Sequence, residues 1–193
     1  FDCKDIGIDI SKKQLYEAVM AAQGEGMQDA VKYMKAFMTE LPVDDDSIDC
    51  IWVQESLFHC HEKDKAIGEF YRVLKSDGTV VLEDTVLMDP KAKKEVMDAF
   101  GKRVKINDIF TPDDYEKLFG EKGFKLAKKE DMTKHLEKTY VEIAKFVSEN
   151  QDKLKKKIDE KNWSSLDNSG REQTLKYVRE GKLGCVAMYF TKA

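Results

Sequence analysis

Residues 69–84 read EFYRVLKSDGTVVLED, and this stretch holds a helix end, a turn and a strand in succession. Upstream of it, Ala66, Ile67, Phe70, Val73 and Leu74 repeat at helical spacing, so an amphipathic helix is predicted over Lys63 to Leu74. Ser76, Asp77 and Gly78 then punctuate the chain, with Gly78 as the residue expected to take a positive φ. Thr79 to Leu82 (TVVL) reads as a buried strand ending at Glu83 and Asp84.

The same alternation extends outward in both directions. Asp5 to Ile10 (DIGIDI) is a short strand closed by Ser11, which can cap a helix over Lys12 to Ala22 that Gly24 and Gly26 end. Val31 to Met38 is a further strand, and Asp44 to Ser47 a turn. Ile48 to Val53 (IDCIWV) is apolar enough for a strand covered on both faces. Downstream, a helix is expected over Pro90 to Arg103 and another beginning at Thr111-Pro112-Asp113-Asp114, where Thr111 caps. Tyr115, Leu118 and Phe119 supply its apolar side, and Gly120 and Gly123 stop it. A strand follows at Phe124 to Ala127, then a long helix from Lys134 to Ile158, a polar loop from Trp163 to Gly170, a helix over Glu172 to Glu180 and a last strand over Leu183 to Phe190. Strand and helix in alternation predict an α/β domain with a mostly parallel, doubly wound sheet. No repeat or linker interrupts residues 1–193, so a single domain is expected.

Composition narrows the possibilities. The chain of 193 residues is 41% hydrophobic and 36% charged, with a net charge of −4 and the two signs interspersed. A nucleic-acid groove needs a concentrated basic face, and the densest basic run, Lys153 to Lys157, is followed at once by Asp159 and Glu160. No apolar run approaches the roughly 18 residues of a membrane span. Cys3, Cys50, Cys60 and Cys185 show no C-x-x-C spacing and lie mostly beside apolar runs, as free buried thiols of a reducing cytosol would. His59-Cys60-His61 is not read as a metal site, because adjacent residues rarely point at one ion and no second cluster completes it.

Three patterns bear on chemistry. Gly7-Ile8-Asp9-Ile10-Ser11 puts an acid at a strand's carboxyl end before a helix, where it either accepts both hydroxyls of a ribose or is merely a strand-end acid. Leu41-Pro42-Val43-Asp44-Asp45-Asp46-Ser47 is a turn leading into a buried strand. The third is the opening stretch itself, which physically is helix, turn and strand.

In that order, GIDIS, LPVDDDSIDCIWVQESLFH and EFYRVLKSDGTVVLED resemble the class I S-adenosylmethionine-dependent methyltransferases over residues 5 to 84, with Ser76 and Asp77 standing where the family usually has Pro and Gly. The resemblance implies a Rossmann-like fold, S-adenosylmethionine as cofactor and a small-molecule substrate, in a cytoplasmic monomer or homodimer with neither nucleic-acid nor membrane partners. The family's first strand and G-x-G-x-G loop are absent from the sequence; Gly24 and Gly26 follow a helix and read as a helix stop. Carried over by position, Asp9 resembles the ribose acid and Ile10 the apolar neighbour of adenine. Ala36, Phe37 and Met38 fall in the adenine-edge segment, with Phe37 either packing on the purine or belonging to the core. Gln54 ends the strand beside the methyl-transfer site, and Gln54, Glu55 and Ser56 are candidates to line it. His59 is either a general base or hydrogen-bonding group near the acceptor amine, or a structural histidine.

The stretch from Lys35 to Gly78 is similar to sarcosine/dimethylglycine N-methyltransferases, as is the tail REGKLGCVAMYFTK. That similarity implies N-methylation towards betaine, with an arginine meeting the acceptor carboxylate; Arg103 is the candidate, on a substrate cap expected within residues 89–131. Two other readings stay open: a phosphoethanolamine or lipid-like acceptor, and a catalytically silent methyltransferase-like binding domain.

Overall fold

A computed structural model describes residues 3–158 and 168–193. Strand β1 (Asp5–Asp9) leads into helix α1 (Lys12–Gly24) and strand β2 (Val31–Lys35). Strand β3 (Ile48–Gln54), helix α2 (Lys63–Val73) and strand β4 (Leu74–Leu87) follow. Residues 90–104 form short helical turns, including a π-helical one at Met97–Gly101. Helix α3 (Pro112–Glu121), strand β5 (Phe124–Asp131), helix α4 (Thr133–Glu149), a short helical segment at Gln151–Lys155, helix α5 (Asn168–Arg179) and strand β6 (Leu183–Lys192) follow. No helix among the described residues is long and apolar enough to cross a membrane.

The strands form two sheets. β1 and β2 pair in parallel, with Asp9 opposite Lys35. The second sheet has the order β3-β4-β6-β5. β3 and β4 are parallel, while β6 runs antiparallel to both β4 and β5. Three strands of this sheet therefore point one way and only β6 opposes them, so the sheet is mixed, within the expected α/β architecture. A period-two or apolar pattern marks a strand but not its direction, so this reversal was not readable from residues 183–192.

Local chemistry explains the element ends. The Ser11 side chain accepts from the Gln14 amide at the start of α1. At α3 the Thr111 hydroxyl accepts from the Asp114 amide while the Asp114 carboxylate accepts from the Thr111 amide, a reciprocal capping box with Pro112 in the first turn. Gly123, just past α3, has φ 93°.

The main core lies between the second sheet, α2 and α3. Leu57, Ile67, Phe70, Leu82, Phe119 and Phe190 are its buried centre. Phe119 stacks on Phe190 with ring centres 3.9 Å apart and planes 5° from parallel. Each such buried apolar side chain contributes roughly 1.5–3 kcal/mol. A second cluster, with Phe58, Val96, Phe100, Ile109, Tyr177 and Leu183, joins the short helical turns to α5.

The structure corrects several expectations. β4 does not stop at Leu82 but runs to Leu87, so Asp84 is interior to the strand and fully buried. The positive φ belongs to Asp77 (63°), not Gly78. Gly78 matters for space instead: a Cβ there would stand 2.8 Å from the Lys75 carbonyl oxygen. β3 is not covered on both faces, since Cys50, Trp52 and Gln54 are exposed while Val53 is buried, the alternation of a strand packed on one side. Of the cysteines only Cys185 is buried; Cys3 and Cys50 are exposed and Cys60 is intermediate. The long helix from Lys134 breaks at Asn150, whose side-chain amide donates to the Phe146 carbonyl and caps α4. The expected polar loop from Trp163 lies outside the described residues up to residue 167, and α5 already begins at Asn168.

Candidate functional site

The second and third motifs are joined by one side chain. Arg72, in the last turn of α2, grips Glu69 bidentately, Nε to Oε1 and Nη2 to Oε2, both at 2.8 Å. The same guanidinium donates to the Val43 and Leu41 carbonyls, each at 2.9 Å, and to the Asp45 carboxylate. Glu69 in turn accepts from the Leu41 amide at 2.8 Å. The turn Leu41–Asp46 is thus moulded onto the end of α2, and the five donors of a guanidinium suit a loop offering several acceptors at once. The Arg72 bonds hold the Glu69 carboxyl below its ordinary value. Lys192 in β6 ties the other end of this turn, donating to Asp46 and to the Leu74 carbonyl.

At the carboxyl ends of the β1–β2 pair, Asp9 is half-buried and accepts from the Ser11 amide at 2.6 Å. The Ala36 amide donates to the Asp9 carbonyl at 3.3 Å, so Asp9 and the Ala36–Met38 segment share one strand end. The chain then turns back, the Glu40 amide donating to the Phe37 carbonyl at 3.0 Å. Met38 packs against the main core, whereas Ile10 and Phe37 are about 60% exposed, at 59% and 60%. Two exposed apolar side chains therefore stand beside a half-buried carboxylate at this strand end.

At the carboxyl end of the β3–β4 pair, Gln54 is exposed and its side-chain amide donates to Glu83 at 3.3 Å. Glu55 follows with φ 46°, a left-handed backbone that favours glycine. Its amide donates to the Glu83 carbonyl at 2.7 Å, and its carboxylate accepts from the Thr85 hydroxyl at 2.9 Å. Burial of the carboxylate, with the Glu83 charge adding to it, raises the Glu55 pKa although the residue remains open to solvent. Ser56, half-buried, begins a single 3-10 turn over Leu57–His59. His59 is exposed, with its ring 4.0 Å from that of Phe58, and burial and the Lys63 ammonium hold its pKa below the ordinary 6.5. At neutral pH its imidazole is uncharged and can accept a proton.

Arg103 is exposed at the edge of the second cluster. Its guanidinium lies 5.4 Å from the Phe100 ring centre and donates to the Thr174 hydroxyl at 2.8 Å. Phe100 stacks on Phe58 at 6.5 Å, so an aromatic ladder links Arg103 to the turn carrying His59. Residues 89–131, the expected cap, divide between the second cluster and the main core, because α3 packs Tyr115 and Phe119 into the main core and β5 joins the sheet.

Three buried polar groups near this strand end escaped sequence reasoning. Asp84 is buried in β4 and accepts from the Tyr115 hydroxyl at 2.9 Å and the Ser56 amide at 3.1 Å. Lys63, also buried, donates to the Phe58 and Cys60 carbonyls at 3.2 and 2.7 Å. The signal for Asp84 was the resumption of apolar residues at Val86 and Leu87 after the acid pair Glu83-Asp84; Tyr115 read only as part of an apolar helix face.

The sequence profile of the methyltransferase domain family matches residues 3–82. A sarcosine/dimethylglycine N-methyltransferase of Halorhodospira halochloris is 21% identical over 192 residues, which span all of this chain and 68% of that protein. A glycine/sarcosine/dimethylglycine N-methyltransferase of Actinopolyspora halophila is 24% identical over 158 residues, 77% of this chain and only 28% of the relative. In structure, a protein from Galdieria sulphuraria described as a candidate sarcosine dimethylglycine methyltransferase superposes with a TM-score of 0.85 at 21% identity, covering 98% of this chain and 77% of that one. That likeness establishes the shared fold, and the stretch from β1 into β4 is similar to the methyltransferase domain family.

Proposed function

We propose that the chain transfers a methyl group from S-adenosylmethionine to the nitrogen of a small amino-acid-like acceptor, sarcosine or dimethylglycine, towards betaine. The observation that carries this reading is the pair of parallel strand ends. One presents Asp9 and the Ala36–Met38 segment; the other presents Gln54, Ser56 and His59. Ligands of open α/β sheets sit beyond the carboxyl ends of the strands.

When bound, the cofactor supplies an electrophilic methyl group on a sulfonium. Asp9 accepts from the two ribose hydroxyls through charge-assisted bonds, and Ile10 and Phe37 cover the adenine that Ala36 and Met38 border. Gln54 and Ser56 line the region where acceptor and methyl group meet. An amino-acid amine is largely protonated at neutral pH and must be neutral to attack, so a basic group beside it is needed. His59, uncharged at neutral pH, takes that proton. Arg103 meets the acceptor's carboxylate, exchanging its bond to Thr174 for a charged partner. Beyond the proton, positioning dominates, because in-line attack by a neutral amine needs little further chemistry.

Titration of S-adenosylmethionine into the protein in a calorimeter tests the first half. Methylation assays on glycine, sarcosine, dimethylglycine and phosphoethanolamine test the second. Saturable heat and turnover on sarcosine or dimethylglycine are expected. Absence of binding would favour a silent binding domain, and turnover confined to phosphoethanolamine would replace the proposed acceptor.

A further inference from the structure

We infer that Asp84 is a positioning residue for the turn between β3 and α2, and that with Tyr115 and Lys63 it sets the direction in which Ser56 and His59 face the acceptor. The inference deepens the proposed function and rests on it for the roles of Ser56 and His59.

The turn Glu55–Cys60 has little to hold it by its own backbone, since it closes only one 3-10 turn, with the His59 and Cys60 amides donating to the Ser56 and Leu57 carbonyls. The Glu55 amide donates to the Glu83 carbonyl, and two buried ionisable side chains from outside take further backbone groups of the turn. On the donor side, the Ser56 amide reaches one oxygen of Asp84 at 3.1 Å, and the Phe58 amide also bonds this carboxyl. On the acceptor side, the Lys63 ammonium takes the Phe58 and Cys60 carbonyls. The other oxygen of Asp84 is fixed by the Tyr115 hydroxyl at 2.9 Å, and Tyr115 is itself fully buried in α3. A carboxyl group carried by an interior strand residue and pinned from α3 has no rotameric freedom to lose, so it acts as a template for the turn. Sheet, α2 and α3 therefore converge on a single turn, through these side chains and the Glu55–Glu83 backbone bond.

The charged and titratable groups around Asp84 are Glu55 at the end of β3, Lys63 from α2, Tyr115 from α3 and Cys185 from β6. Burial raises the Asp84 pKa to about 8, against the pull of the Tyr115, Ser56 and Phe58 bonds. Neither that carboxyl nor Tyr115 is exposed to a ligand, since both are fully buried. Their effect on the reaction passes through the turn.

The test combines hydrogen exchange at the Ser56 and Phe58 amides with steady-state kinetics on sarcosine and S-adenosylmethionine, in Asp84→Ala, Asp84→Asn and Tyr115→Phe. In Asp84→Ala, exchange at both amides is expected to accelerate by about tenfold or more. The kcat should fall by about tenfold or more with KM for S-adenosylmethionine unchanged. Asp84→Asn retains an oxygen for the amides and should restore both readouts in large part. Unchanged exchange at Ser56 and Phe58 in a folded Asp84→Ala protein overturns the inference, as does accelerated exchange with unaltered kcat. If Asp84→Ala does not fold, Tyr115→Phe decides, because it removes one hydroxyl and should still loosen both amides; no change there is equally fatal. A wild-type protein that methylates no amine would count against the proposed function alone, and the exchange measurement would still decide whether Asp84 holds the turn.

Discussion

Replacing Arg72 by alanine removes the guanidinium that joins the Leu41–Asp46 turn to α2. Five donor contacts disappear: two to Glu69, one to Asp45 and one each to the Leu41 and Val43 carbonyls. A hydrogen bond to a charged group is worth about 1.5–3 kcal/mol when desolvated. Here the Arg72 side chain is 32% exposed and Asp45 70%, so water replaces much of what is lost. The Asp45 contact contributes little, the two carbonyls lie in a loop that water can reach, and the bidentate Glu69 pair carries most of the effect. A net loss of about 2–3 kcal/mol follows, and for a chain of this size each kcal/mol lowers Tm by about 2–4 °C. Thermal unfolding followed by circular dichroism should therefore show a drop of about 5–10 °C. Arg72→Lys keeps the charge but not the fork, and should recover less than half of it. The Glu69 carboxyl is held below the ordinary 4.5, so its contribution is present above that pH and lost as pH falls through its depressed value; the gap between wild type and Arg72→Ala should narrow in acid. A Tm within about 2 °C of wild type at neutral pH would refute the reasoning.

Burial raises the Asp84 pKa from 3.8 to about 8, so the stability its protonation contributes is full below 3.8 and is lost as pH rises through 8. At about 1.4 kcal/mol per pH unit the ceiling on this effect is about 6 kcal/mol, and urea midpoints at pH 5 and pH 9 should differ less in Asp84→Asn than in wild type; equal slopes would contradict it. Thr111→Ala removes half of the capping box and should cost about 1 kcal/mol, read as a shift in the urea midpoint at unchanged m-value. Asp9→Ala should weaken S-adenosylmethionine binding by about 1.5–3 kcal/mol in calorimetry with Tm unaltered, and an unchanged Kd would remove Asp9 from the site.

Much of this fold was legible because helix ends and strand cores are written locally. Ser11, Thr111 and Pro112 announce helix starts through side chains acting within one turn, and each does so in the structure. What sequence could not give is long-range. Arg72 read as part of its own helix–turn motif, and only the fold brings residues 41–45 into its reach. Asp84 read as the end of a strand because charge usually marks an end; a partner on α3 lets the strand continue through it. Asp77 takes the left-handed backbone expected of its glycine neighbour, while Gly78 is kept small by the Lys75 carbonyl. Of the candidate site, Asp9 with Ala36 and Gln54 with Ser56 do fall at strand ends, whereas the clamps behind Ser56 and His59 come from residues with no local signature.

The position of β6 constrains how this chain is made. Thr79 in β4 pairs with Thr191 and Leu87 with Leu183, so β6, synthesised after the other described strands, occupies the interior of the sheet, between β4 and β5. Until residues 183–192 leave the ribosome, β4 and β5 each expose a bare hydrogen-bonding edge, and the nascent sheet is open along its middle. Closure then waits on the slowest kind of contact, one between segments far apart in the chain. A ribosome stalled just short of Leu183 would release a species with one edge of the apolar β4 bare and β5 without a mate, a client for a chaperone and a template for aggregation.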